Sequence, residues 1–407
     1  MKKFLTILFC AGMVLPMFGQ KALVEQAAKL SGKPAQLNEA RNLIKQAMSN
    51  PETQNDARTY YIAGKIEFDA YDNAFKTQMI NPGDPSAQPD VMGKELMDGY
   101  NYFLKALPLD SLPNEKGQVK PRFSKDIYNK LWGHANDFFT IGGEYYNSQM
   151  YYPQAYDAFM IYGELPNTVL AGHGGETISP EQVATAFFNA GLSAYQGNKL
   201  DESALGFKKA RLAGYQQPEA YIYEIACLQT IGQQDESRLP EIQEKIMDVA
   251  TAGNEKFGLE QPIFLNNMIN SLVSENKMDE SINLLNGIIA ENPDMPALYG
   301  LRGFVYDRME KDDLSEADYR KAASLPDVDY DTLKNASKKL FRVGTTKLND
   351  IEGSSAEANA ARQNIKENYF EEALRIANQA APMSNGDPDL QNVLDSLDYA
   401  LTTYFSK

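Results

Sequence analysis

A pattern that returns every 34 residues constrains this chain more than any other feature. Leu265, Ile269, Leu272, Ser281, Leu285 and Ile288 are followed one period later by Tyr299, Gly303, Tyr306, Ser315, Tyr319 and Ala322. Upstream, Phe187, Gly191, Ala194 and Ser203 return as Tyr221, Ile225, Leu228 and Ser237. Apolar residues keep helical spacing throughout, and no stretch alternates convincingly as a half-buried strand would. A fixed period of this length implies helical pairs, each too small to bury its apolar face alone. The 407 residues exceed what one compact core holds, and a stack of repeats escapes that limit because each touches only its neighbours.

Local signals agree. Asp201-Glu202-Ser203, Asp235-Glu236-Ser237 and Asp279-Glu280-Ser281 are predicted to open three second helices, where carboxylates meet the positive end of the helix dipole. Pro51, Pro108, Pro166, Pro218, Pro293, Pro326 and Pro382 each follow a helical stretch and punctuate the pairs. Four insertions rich in Gly, Pro, Asn, Asp or Ser read as loops: 76–93, 107–125, 163–180 and 344–355. Leu390, Val393, Leu394, Leu397 and Leu401 form an apolar stripe on a last helix whose other face is polar, suited to close the stack.

Here the chain resembles the tetratricopeptide repeat family, in which small and aromatic residues alternate between the two helices of a hairpin. Phe187, Ala190, Gly191, Tyr195, Ser203, Phe207 and Ala210 fit that pattern, as do Phe139, Gly143, Tyr146, Ala155 and Phe159. Weaker copies are Ala40, Ile44 and Ala47 with Tyr60, Ala63 and Gly64, then Phe103 and Ala106. Leu333, Ala336 and Leu340 with Phe370, Ala373, Ala377 and Ala380 make a late copy. Glu241 departs from the pattern where an aromatic belongs, on a second helix that runs long. The resemblance implies an all-α superhelical solenoid of helical hairpins with a C-terminal capping helix, of the exported bacterial type. Its parts are a signal peptide (1–20), irregular hairpins with long insertions (21–135), a regular array (136–326), and a looser hairpin plus capping helix (327–407).

The start of the chain reads as an export signal. Lys2 and Lys3 precede an apolar stretch from Phe4 to Leu15, too short to span a bilayer, and cleavage is expected near Gly19. Cys10 follows Phe9 rather than a small residue, which argues against a lipid anchor. A periplasmic or secreted protein is implied, with no later membrane span. Cys227 then has no intramolecular partner, and its apolar neighbours make it a buried small hydrophobe. The formal charge of −16 repels phosphate backbones, so nucleic acid is a poor partner and basic or neutral ones fit better.

Catalytic candidates are few. His134 and His173 are the two histidines. The first lies near Trp132 and Asp137 on a helix and reads as structural. The second sits in Gly172-His173-Gly174-Gly175-Glu176, without the further imidazoles a zinc site uses or the ending of a phosphate-cradling loop. No metal or other cofactor is implied, and catalysis has no constellation to support it. A helical hydrolase using His173 and Glu176 is the weakest alternative.

The tetratricopeptide resemblance implies instead that first helices line a groove for a protein or peptide. Carried over, the lining positions are Phe188, Leu192 and Tyr195, then Ile222 and Gln229, then Asn266, Asn270 and Val273. Phe304, Asp307 and Arg308 follow, and Lys334, Lys338 and Phe341 end the row. Asn amides can pair with a partner's backbone while aromatics form pockets. Phe188, Phe304 and Phe341 are equally placed to pack between hairpins, so both roles stand at this point. Asn266 occupies the position where the family's carboxylate clamp needs a base. Capture of a glycan, or accessory work in an outer-membrane complex, is the alternative; 23 tyrosines favour stacking on sugars and the single tryptophan weakens it.

Overall fold

The structure is a computed structural model that describes residues 20–114, 116–175 and 178–405. The leader, with Cys10 and the cleavage position near Gly19, and Glu176 lie outside the described residues. The chain forms two compact units that meet in sequence at Ile242 and Gln243, a boundary the repeat spacing does not mark.

The N-terminal unit opens with α1 (Gln20–Leu30), α2 (Leu37–Met48), α3 (Ala57–Ile80), α4 (Pro89–Asp110) and α5 (Ser124–Gly133). It continues with α6 (Ala135–Asn147), α7 (Tyr152–Glu164), α8 (Pro180–Gln196), α9 (Leu200–Leu212) and α10 (Glu219–Gln234). The boundary falls in the first turn of α11 (Leu239–Phe257). The C-terminal unit contains α12 (Pro262–Ser274), α13 (Met278–Glu291), α14 (Pro296–Arg308), α15 (Asp312–Ser324) and α16 (Tyr330–Asn349). It ends with α17 (Ala356–Ile365), a π-helical turn over Lys366–Glu371, α18 (Glu372–Ala380) and α19 (Pro388–Thr403). Among the described residues there is no strand, and an isolated bridge joins Pro113 to Val119. Each unit is an all-α solenoid of tetratricopeptide-like hairpins. No helix among the described residues is long and apolar enough to cross a membrane.

Small residues set how closely the helices approach. A Cβ built on Gly191 of α8 would lie 2.7 Å from the Phe207 ring of α9, and one on Gly206 would lie 2.5 Å from the Gly191 backbone. Ser203 Oγ, fully buried, donates to the Gly191 carbonyl at 2.9 Å across the same crossing. The device recurs: Gly64 lies under Phe103, Gly99 under Phe68, Gly163 under Phe187 and Gly253 under Phe264. Close backbone approach with a ring filling the flank is what an interior packed to crystal density requires.

The turns inside the hairpins share one geometry. Asn198, Asn276 and Glu310 adopt positive φ of 56°, 60° and 57°. The next N–H then reaches back into the last helical turn, from Lys199 to Ala194, Lys277 to Leu272 and Lys311 to Tyr306. This closes orphan carbonyls at the end of each first helix. Caps start the helices: Ser179 and Gln182 form a reciprocal capping box on α8, and Asp329 and Asp387 cap α16 and α19.

Several expectations are corrected. On α6 the buried residues are Ala135, Phe138, Ile141, Gly142 and Tyr145, so the register sits one residue before Phe139, Gly143 and Tyr146. Gly142 lies under Phe159, whereas a Cβ on Gly143 would meet nothing within 4 Å. The insertions are shorter than composition implied. Helix α3 continues to Ile80 and α4 begins at Pro89, α4 continues through Pro108 to Asp110, and α16 continues to Asn349. Gly344 does not break α16, because it is tucked against Tyr369 and Phe370. Asp235-Glu236-Ser237 precedes a second helix rather than starting it: Glu236–Arg238 is a short 3-10 turn, and α11 begins at Leu239. That helix, which carries Glu241, is 19 residues long, and its buried side is Ile242, Ile246, Val249 and Ala250.

Candidate functional site

In the C-terminal unit, α12, α14, α16 and α19 line three adjoining clefts. The first holds Asn266 and Asn270 of α12, Ala297, Leu301 and Phe304 of α14, and Asp331 and Asn335 of α16, in a volume of about 420 Å³. The second, of about 460 Å³, shares Phe304 and Asn335 and adds Asp307, Lys338, Phe341, Arg342 and Val393. The third takes Phe341 again, with Phe370, Ser396 and Tyr399. Asn266, Asn270, Phe304, Asp307, Lys338 and Phe341, positions separated by up to two repeats, thus meet along one run of clefts.

These side chains differ in what they are free to do. Asn266, Asn270 and Asn335 are exposed, and none makes a side-chain hydrogen bond among the described residues. Phe304 and Phe341 are half-buried; each packs against a hydrophobic core and also borders a cleft. Asp307 is held internally. Its Oδ1 accepts from Lys339 at 2.6 Å and from Arg342 at 2.7 Å, and Lys339 also reaches Asp312 at 2.5 Å. The Lys339 side chain is 1% exposed, so this ion pair ties α14 and α15 to α16. The contact from Lys339 holds the Asp312 carboxyl below its ordinary range.

Lys334 and Lys338 both pair with carboxylates at the start of the last helix, Lys338 from an exposed position. Lys334 Nζ lies 2.9 Å from Asp387 Oδ2, which also accepts from the Tyr330 hydroxyl at 2.6 Å. Those two contacts, with the Asp389 backbone N–H, push the Asp387 carboxyl down to about 2. Lys338 reaches Asp389 at 3.2 Å. Arg308 is exposed and makes no ion pair among the described residues. Val273 is a correction: it is 8% exposed and belongs to the core with Leu265, Ile269 and Leu285, so it cannot line a groove. It lies seven residues after Asn266 and so on the same face of α12, but the core formed with Leu285 and Leu298 covers that end of the helix.

The N-terminal unit carries the remaining lining residues. Phe188 is half-buried and stacks on Tyr215 at 4.5 Å with planes 9° apart, and lies 6.1 Å from Tyr223. One ring face is therefore already covered. Leu192 and Ile222 are half-buried, and Gln229 is exposed. Tyr195, 54% exposed, borders a polar cleft with Lys199, Thr230, Gln234 and Arg238. Asn335, Leu301 and Asn349 were missed by sequence reasoning. Two 34-residue periods from Asn266 lead to Lys334, so the repeat spacing selects that residue and passes over Asn335 beside it.

The histidines have packing roles. His134, 8% exposed, places Nδ1 2.7 Å from Asp137 and lies 4.9 Å from the Phe68 ring. His173 stacks on Tyr128 at 3.6 Å, and its carbonyl accepts from Trp132 Nε1 at 2.6 Å. Gly175 fits where a Cβ would strike the Trp132 ring at 2.3 Å. The glycine run thus seats a loop on two aromatics. Cys227 is buried beside Ser203, and burial pushes its thiol up.

No protein-family model and no curated protein matches the sequence. Solved structures are similar over most of the chain. Yeast Tom70 aligns with 95% of this chain and 96% of its own, at 12% identity and a TM-score of 0.27. The APC/C hetero-tetramer Cut9-Hcn1 aligns with 93% of this chain and 85% of its own, at 12% identity and 0.28. The P58(IPK) TPR domain aligns with 81% of this chain and 99% of its own, at 14% identity and 0.21.

Proposed function

We propose that this protein is an exported, non-enzymatic scaffold that holds an extended segment of a partner protein along α12, α14 and α16. One observation carries the reading: three exposed, unpartnered amides surround a cleft floored by Leu301 and Phe304. An extended chain presents backbone N–H and C=O groups in regular succession, and Asn donates and accepts at once. The apolar floor takes alternate side chains. Export draws support from the basic-then-apolar start of the sequence, and an exported scaffold would meet its partner in the cell envelope or outside the cell.

Photo-crosslinking in intact cells tests this. A crosslinker at Asn270 should capture a protein that the same group at Asn283, exposed on α13, does not. Identical captures at both positions, or none at Asn270, would remove the reading.

A further inference from the structure

We propose that the segment held in the first cleft is basic, with a lysine or arginine stem lying over Ala297, Leu301 and Phe304 and its charged head at Asp329 and Asp331. The inference rests on the segment-binding reading and adds the partner's chemistry to it.

Charge complementarity carries the choice. Asp329 and Asp331 are the charged residues among those lining this cleft, and no lysine or arginine is among its lining residues. The Asp331 carboxylate is 78% exposed, and among the described residues its ion pair is a long one of 3.5 Å to Lys334. Lys334 itself makes its closer contact, 2.9 Å, with Asp387. Asp329 accepts from the backbone N–H and hydroxyl of Thr332 through different oxygens. Each oxygen keeps a second lone pair for another donor.

The adjoining cleft is different. Its Lys338, Lys339 and Arg342 already pair with Asp389, Asp307 and Asp312. An acidic segment would have to displace those carboxylates, whereas a basic one meets acceptors with capacity left. Long basic side chains lay their methylenes on apolar surface and keep the charge at its edge, which matches a cleft with an apolar floor and an acidic end. The chain's net charge of −16 would also speed the approach of a basic partner.

A random peptide library displayed on phage, selected on the full chain, supplies the probe. Selected peptides are then synthesised with their basic residue intact or changed to Gln, and binding is read by fluorescence anisotropy. The expected result is enrichment of one Lys or Arg next to an apolar residue, and about fivefold weaker binding of the Gln peptide. Asp331→Asn, at an exposed position, should abolish the difference between the two peptides. Weakening of both by Asn266→Ala with Asn270→Ala would place them in this cleft. Peptides that lack a base yet are weakened by the Asn pair would overturn the inference and leave segment binding standing. Peptides indifferent to the Asn pair would overturn both. A concentration-dependent dimer in sedimentation, dissociated by the Asn pair, would make a second copy of the chain the occupant and overturn the basic-segment inference.

Discussion

At the residue scale, glycines under aromatic rings carry the tightest constraints. Gly191→Val puts methyl groups where the Phe207 ring already stands, and should cost about 2 kcal/mol in urea denaturation. Gly143→Ala is the informative contrast. Its Cβ meets nothing, so the variant should gain roughly 0.5–1 kcal/mol from helix propensity. A loss there comparable to that of Gly191→Val would restore the sequence-derived register of α6. That register was not legible because Phe138-Phe139, Gly142-Gly143 and Tyr145-Tyr146 are all doublets. Either member fits the pattern, and only the position of Phe159 selects one. Glu310 shows the opposite problem, a side chain in a left-handed turn at φ 57°. Replacement by Gly should stabilise by about 1 kcal/mol in the same assay, since the backbone strain disappears.

Among elements, the docking of α19 on α16 depends on one carboxylate. Asp387 caps α19 and accepts from Tyr330 and Lys334 of α16. Its folded-state value of about 2 lies below the roughly 3.9 of an unfolded chain. The native state therefore binds the proton less readily, and this contribution is fully present above about pH 4. It is lost as pH falls through about 2. Hydrogen exchange of 388–403, corrected for intrinsic rates, should accelerate across that window. Asp387→Asn should show the faster exchange already at neutral pH and a flatter response below pH 4. A variant with unchanged protection would mean that Leu390, Val393, Leu397 and Ala400, all buried, hold the helix without the clasp. The capping helix itself was legible from its apolar stripe. Its clasp was not, because Tyr330 and Asp387 are 57 residues apart and no periodicity links them.

For the molecule as a whole, stability in a solenoid sums over neighbouring repeats instead of resting on one core. Gly191→Val should speed hydrogen exchange in α8 and α9 and leave α14 and α15 as they were. Gly303→Val, beneath Tyr319, should do the reverse. Uniform acceleration over both units would contradict nearest-neighbour stabilisation. The 34-residue period by itself determined the all-α class and the hairpin unit, and most of the positions it marks are buried, because stacking similar units demands the same small and bulky residues at each crossing. Which lining residues remain free was a tertiary decision. Asp307, Lys334 and Lys338 are bound to partners on other helices, Val273 turns into the core, and Asn266, Asn270 and Asn335 are left with open amides. A repeat fixes a residue's face within its own hairpin. Only the neighbouring hairpins determine whether a charge on that face finds its opposite.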